Sequence, residues 1–123
     1  MAKGIQTSNG KAFEYACLLG LYNELSPIQK IETKDSPQLR TAQALYEGLD
    51  AKMQDALDKA ANAAVRVIRR LEPQLWEPDG NEPLYLSIQP DSAGIGGDVR
   101  DVLCLRKQNG WQIGFSCKHN HHA

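Results

Sequence analysis

The residues near the end of the chain whose types could support catalysis fall within a predicted β-hairpin. Residues 102–106 form a largely apolar run, residues 107–110 end in Asn-Gly, and residues 111–118 contain aromatic and β-branched side chains. Two such runs joined by a short loop that ends in Asn-Gly predict two antiparallel strands. The four-residue loop leaves the register of the two strands open by about one residue.

One register of this hairpin brings an acid, a hydroxyl and a lysine to the same face. If Arg106 lies opposite Trp111, counting back along both strands puts Asp101 opposite Ser116. Side chains alternate between the two faces of a strand, so Lys118 then shares the face of Ser116. The same register places the apolar side chains of the second strand on the opposite face, against helices.

An acid and a lysine in this arrangement suit the metal-dependent cleavage of a phosphodiester bond. The carboxylate of Asp101 would hold a divalent metal that activates a water molecule, and Lys118 would orient that water or stabilise the developing charge. The alternative is an ordinary ion pair on a solvated strand face, which contributes little to stability. Spacing alone leaves both interpretations open.

Three segments resemble a known family of nucleases. The sequences GDVRDV at residues 97–102, GFSCKHNH at 114–121 and GKAFEYA at 10–16 are similar to those of HaeIII-type type II restriction endonucleases, and the first two follow the PD-(D/E)XK nuclease signature. The resemblance is good in these segments and poor in the middle of the chain. The chain departs from the signature at Ser116, where the pattern has a second acid.

The resemblance implies a function and a set of residues. It implies a magnesium-dependent deoxyribonuclease that cuts double-stranded DNA, with GGCC as the target and a cognate DNA methyltransferase that acts on the same site without binding the nuclease. Asp101 and Glu14 would bind Mg²⁺ together with the backbone carbonyl of Cys117, and Lys118 would assist catalysis. Asp98 and Ser116 are secondary candidates for the site. The candidates for DNA contacts are Arg100, Lys107, His119 and Asn120.

Length and charge set limits on this interpretation. The 123 residues predict a single domain, and the abrupt end at Ala123 suggests the N-terminal catalytic part of a longer nuclease. A net charge of −1 is unusual for a DNA-binding domain, which is commonly basic. Cationic residues in the second half could still form a local basic patch: Arg66, Arg69, Arg70, Arg100, Arg106, Lys107 and Lys118.

The cysteines and the apolar stretches favour a soluble cytoplasmic protein. Cys17, Cys104 and Cys117 lie in apolar runs without C-x-x-C spacing, which indicates buried thiols in a reducing compartment. The longest apolar stretch, residues 16–22, is too short to span a membrane.

The first half of the chain predicts helices. Cap candidates at residues 7–10 precede a helix predicted from Lys11 to Leu25, with Glu14 at the edge of its apolar face as either a metal ligand or an ordinary exposed acid. Ser36 and Pro37 predict the start of a second helix. Apolar residues then recur every three or four positions up to Leu71, which predicts one long helix or two helices separated near residues 48–50.

Other patterns allow more than one interpretation. Lys59, Asn62, Arg66 and Arg70 form a polar stripe that is either a solvated face or a surface for phosphates. Residues 29–36 are polar and ambiguous. The histidines at 119, 121 and 122 lack the partners of a zinc site, and they belong either to a DNA-contacting segment or to a terminus without a function.

Together these patterns predict an α+β domain with helices packed on a small mixed sheet, and the resemblance implies that its fold is restriction-endonuclease-like. A strand at residues 84–88 would neighbour the C-terminal hairpin. A palindromic DNA target would favour a two-fold homodimer. The alternative functions are an inactive DNA-binding or assembly module and a structural helical domain in which the hairpin pair is incidental.

Overall fold

Three helices pack against one face of a four-stranded mixed β-sheet, as the sequence predicts. The computed structural model describes residues 2–78, 82–89, 102–106 and 110–116. The helices are α1 (Ala2–Leu25), α2 (Pro37–Glu47) and α3 (Ala51–Leu71), and a 3₁₀ helix follows at Pro73–Trp76. The strands are β1 (Ile31–Thr33), β2 (Leu84–Ile88), β3 (Val102–Arg106) and β4 (Trp111–Phe115).

The order of the strands in the sheet follows their order in the chain. β1 pairs with β2 in parallel, whereas β2 with β3 and β3 with β4 are antiparallel. A parallel pair needs a crossover connection, and α2, α3 and the 3₁₀ helix supply it. β1 lies within residues 29–36, the stretch that sequence patterns left undecided.

The hairpin of β3 and β4 has the predicted register. Arg106 lies opposite Trp111, and Val102 lies opposite Phe115. Gly110 has φ +70°, a backbone conformation that residues with a Cβ rarely adopt. The prediction that Ile113 and Phe115 face the helices is confirmed, because both pack against the buried core. The predicted positions of the Trp111 side chain, Asp101, Cys117 and Lys118 lie outside the described part of the structure.

Local signals explain where the helices begin and end. The Ser36 hydroxyl accepts a hydrogen bond of 3.1 Å from the backbone N–H of Leu39, and Asp50 accepts one of 2.8 Å from that of Met53. α2 ends with Gly48 at its C-cap and α3 begins after Asp50 at its N-cap, so the helices are separated at residues 48–50 and the two-helix alternative is the correct one.

The predicted start of α1 is wrong. The cap candidates at residues 7–10 lie inside the helix, which begins at Ala2. Ser, Asn and Thr disfavour a helix only weakly, and a glycine costs about 1 kcal/mol relative to alanine. Without a proline or a competing turn, these residues do not end a helix.

Two clusters of buried side chains hold the layers together. The larger cluster joins Leu18, Leu21 and Leu25 of α1 to the inner faces of β2 and β3. The smaller cluster packs Phe13 and Cys17 of α1 against α3. Gly20 allows the close approach of α1 and α3, since a Cβ at this position would lie 3.2 Å from Cγ2 of Val65.

Arg106 corrects one sequence-based expectation. The sequence allows Arg106 to join a basic patch on the surface, but its side chain is buried and only 4% exposed. Its Nη2 donates to Oε1 of Gln29 at 3.0 Å and to the carbonyl of Glu77 at 3.1 Å. A buried guanidinium needs such acceptors, and here they join β3 to the turn after α1 and to the end of the 3₁₀ helix.

We expect Arg106→Met to lower the free energy of unfolding by about 2 to 3 kcal/mol, because Gln29 and the Glu77 carbonyl lose a charged donor. Urea denaturation of wild type and variant measures this loss. Arg40→Met is the control: the exposed Arg40–Asp35 pair should contribute less than about 1 kcal/mol. Equal losses in the two variants would contradict a special role for Arg106.

Tyr46 gives a prediction on pH. Burial and then its 2.6 Å hydrogen bond to Asp58 raise the pKa of Tyr46 from 10.0 to about 12. Because the pKa of Tyr46 is higher in the folded state than in the unfolded state, protonated Tyr46 contributes its full stabilisation below pH 10. This contribution is lost as the pH rises towards 12. We therefore expect Tyr46→Phe to lower the free energy of unfolding by about 1 kcal/mol near neutral pH. Between pH 10 and 12, the stability of the variant should fall less than that of wild type.

Urea titrations across this range test the Tyr46 prediction, with Tyr22→Phe as a matched control at an exposed tyrosine. Stability curves of the same shape for wild type and Tyr46→Phe would contradict it.

Candidate active site at one end of the sheet

Glu14 is the member of the predicted site whose position the structure describes most fully. It lies on α1 at four, seven and eleven residues before Leu18, Leu21 and Leu25, which pack on the sheet. Residues at these spacings share one helix face, so Glu14 is on the sheet-facing side of α1. Its side chain is half-buried and already takes part in an interaction. This placement disagrees with the alternative of an ordinary, fully solvated acid.

Ser116 lies just after β4 and is exposed. Because Ile113 and Phe115 pack on the helix side, alternation assigns Gln112 and Ser116 to the outer face of the sheet. Glu14 approaches from the inner face, where α1 packs. The two residues therefore belong to opposite sides of the sheet, and a site common to both can form only beyond the strand ends at Val102 and Phe115.

The other predicted site residues lie outside the described residues. These are the metal-site candidates Asp98, Asp101 and Cys117, the catalytic Lys118, and the DNA-contact candidates Arg100, Lys107, His119 and Asn120. Among the residues that the structure does describe, no three His, Cys, Asp or Glu side chains group together as metal ligands.

The donor set that the sequence predicts suits magnesium. Two carboxylates and a backbone carbonyl offer only oxygen atoms, which are the ligands that Mg²⁺ prefers. The two cysteines of the described core do not offer thiolate ligands that would favour a softer metal. Cys17 and Cys104 are both buried, and burial raises the pKa of the Cys104 thiol to about 12 even though the Arg106 charge lowers it.

Sequence patterns missed a cleft of about 580 Å³ on the outer face of the sheet. Its lining includes Glu32, Tyr85, Ser87, Leu103, Leu105 and Gln112, which come from all four strands. Tyr85 is hydrogen-bonded to Glu32, and partial burial followed by the Glu32 charge raises the Tyr85 pKa. The sequence did contain a signal for this cleft, because β3 has apolar side chains on both of its faces. A strand of this kind tends to be covered on both faces.

Comparison with known proteins identifies the family. A sequence profile of the HaeIII restriction endonucleases matches residues 10–123, which include the Glu14 segment and the complete hairpin. The chain belongs to the HaeIII restriction endonuclease family.

One relative is similar over most of the chain. It is the type II restriction enzyme HaeIII of Haemophilus aegyptius, 35% identical over 115 residues. The alignment covers 94% of this chain and 36% of the relative, so the chain spans about a third of the length of that enzyme. No solved structure matches the chain.

None of the described helices is long and apolar enough to cross a membrane. α3 is amphipathic. It buries Leu57, Ala61, Val65 and Ile68 and exposes its cationic side chains.

Proposed function

We propose that the protein is a type II restriction endonuclease that hydrolyses double-stranded DNA at GGCC. The membership of residues 10–123 in the HaeIII restriction endonuclease family carries this proposal. The name of the similar enzyme from Haemophilus aegyptius supports the type II assignment. The hairpin supports the predicted site, since β3 and β4 have the register from which the pairing of Asp101 with Ser116 was derived.

In the proposed reaction, a water oxygen forms a bond to phosphorus and a P–O ester bond breaks. Lys118 would orient this water through its ammonium group or stabilise the charge on the phosphate. Asp101, Glu14 and the Cys117 carbonyl would hold the metal, with Asp98 as a further ligand or a loop anchor. Bound Mg²⁺ supplies polarisation of the phosphate and a more acidic water.

Glu14 can serve this site because of the direction in which α1 runs. The turn that follows α1 is attached to Arg106 through Gln29, at the far end of β3 from Val102. Leu25, Leu21 and Leu18 then follow one another across the sheet. Glu14 comes one turn beyond Leu18, away from the Arg106 end. This direction favours a carboxylate near the Val102 end, where the strands no longer separate the two faces.

The remaining parts of the proposal concern the surroundings of the reaction. Arg100, Lys107, His119 and Asn120 would contact DNA, and a palindromic target favours a two-fold homodimer. A DNA methyltransferase would protect the same sites by modifying them. The protein would act in the cytoplasm, where its substrate lies and buried thiols stay reduced.

Incubation of the intact protein with two supercoiled plasmids tests the proposed function. One plasmid carries GGCC sites, and the other is identical except that these sites are altered. We expect fragments of defined length from the first plasmid with Mg²⁺ and none with chelator or from the second plasmid. A mobility shift without cutting would favour the inactive DNA-binding module, which agrees with a serine at position 116 where the nuclease signature has an acid. Neither cutting nor a shift would favour a structural domain.

Glu14→Gln should abolish cutting as completely as Asp101→Asn and leave DNA binding largely intact, because both substitutions remove a charged metal ligand. Ser116→Ala should cost much less, on the order of one hydrogen bond or about 1 kcal/mol. Cleavage rates and binding in chelator measure the two effects separately.

Glu24→Gln is the matched control on α1, because Glu24 is exposed and lies 3.9 Å from Arg69. It should cut at the wild-type rate. Near-normal cutting by Glu14→Gln would show that the metal site is built from other residues.

A further inference from the structure

Four cationic side chains form a row along the exposed face of α3. Lys52, Lys59, Arg66 and Arg70 are all exposed and lie seven, seven and four residues apart. At about 100° per residue, their directions fall within an arc of roughly 40°. The row is about 27 Å long at a rise of 1.5 Å per residue. It is a straight line of positive charge on a rigid element.

The row is separate from the packing of α3. The buried residues Leu57, Ala61, Val65 and Ile68 occupy the other side of the helix. Arg69 is not part of the row. Its guanidinium lies 3.9 Å from the Glu24 carboxylate and 5.5 Å from the centre of the Trp76 ring. Removing the charges of the row should therefore leave the core unchanged.

Most of these charges are not neutralised by the described part of the protein. Lys59 pairs with Asp55 at 2.9 Å, but Lys52, Arg66 and Arg70 have no ion-pair partner among the described residues. α3 carries five cationic and two acidic side chains, so its net charge of +3 contrasts with −4 for the rest of the chain, whose total is −1. The near-neutral composition thus conceals a strongly basic helix.

The surface beside the row allows a polyanion to come close. Ala56 and Ala63 are exposed on the next positions around the helix, and neither carries a side chain that would keep a phosphate away. Duplex DNA carries one charge about every 1.7 Å of its axis, which is two charges for each base-pair step of about 3.4 Å. A row of about 27 Å therefore spans about eight base-pair steps. The length and the charge of the row are therefore compatible with a phosphate backbone.

We propose that the row formed by Lys52, Lys59, Arg66 and Arg70 binds the phosphate backbone of duplex DNA and provides affinity that does not depend on sequence. This inference rests on the proposed function, since it assumes a DNA substrate. It adds a surface that is distinct from the hairpin residues expected to contact the target site. Phosphate contacts of this kind position a protein on DNA, whereas contacts to base edges select the sequence.

The test measures how DNA affinity depends on salt for the intact protein in chelator. The probes are two short duplexes of the same length, with and without one GGCC site. Each phosphate contact contributes about 0.9 to the slope of log K against log salt concentration, so Arg66→Gln with Arg70→Gln should lower the slope by about 2. The loss of affinity should be the same for both duplexes.

Two further variants act as controls. Arg66→Lys with Arg70→Lys keeps the charges, and it should keep a slope close to that of wild type. Lys30→Gln with Lys34→Gln removes two exposed cations near β1 and changes the net charge equally, but it should leave the slope unchanged. Circular dichroism and melting temperatures confirm that all variants are folded.

Three outcomes would overturn the inference: a wild-type slope in the glutamine variant, an equal effect of Lys30→Gln with Lys34→Gln, and no binding of wild type to either duplex. An unchanged slope with altered sedimentation would assign the face to a protein partner instead, through the exposed Val67 and Leu71. Plasmid cutting, measured in parallel with Mg²⁺, decides the proposed function separately. A protein that shows the expected slopes but does not cut would retain this inference and lose the nuclease proposal.

Discussion

The buried guanidinium of Arg106 is the interaction on which the arrangement of the described elements depends. It is 4% exposed and donates to Gln29 and to the Glu77 carbonyl, while Nε2 of Gln29 donates to the Leu75 carbonyl at 2.6 Å. These bonds join residues as far as 77 positions apart. They fix the end of β3, the turn between α1 and β1, and the 3₁₀ helix to one another. A buried cation tolerates little displacement of its acceptors, because each lost hydrogen bond leaves a desolvated charge.

This anchoring divides the sheet into two ends with different tasks. At the Arg106 end, polar contacts fix the elements. At the other end, β2 ends at Ile88, β4 ends at Phe115 and β3 begins at Val102, and we propose that the catalytic site forms beyond these positions. α1 is held at the Arg106 end near Gln29, and it carries Glu14 on its sheet-facing side. The position of the carboxylate therefore depends on a contact made three helical turns or more away.

Several features were predictable because their causes are local. Ser36, Pro37 and Asp50 act within one helical turn, so the start of α2 and the break before α3 follow from the sequence. The register of the hairpin depends on a short loop that ends in Gly110. The family resemblance added Glu14, and helical spacing then explains why it faces the sheet.

Features that depend on distant partners were not predictable. β1 has only three residues, and its pairing with β2 makes it a strand although its polar composition does not. Arginine is usually a surface residue, and Arg106 can be buried because distant groups such as Gln29 and the Glu77 carbonyl accept its hydrogen bonds. Leu71 continues the apolar periodicity of α3, yet it is 71% exposed, because the core ends one turn earlier at Ile68.

The parallel pairing of β1 with β2 also has a consequence for the order of folding. The hairpin of β3 and β4 pairs two strands that are close together in the chain, and such hairpins form within microseconds in many proteins. Ile31 instead meets Leu84, 53 residues later, so this pairing must close a long loop before it gains any stabilisation. We infer that β1 joins a sheet that has already formed. Until then the free edge of β2 is exposed to other chains, and this stage is where misassembly would compete with folding.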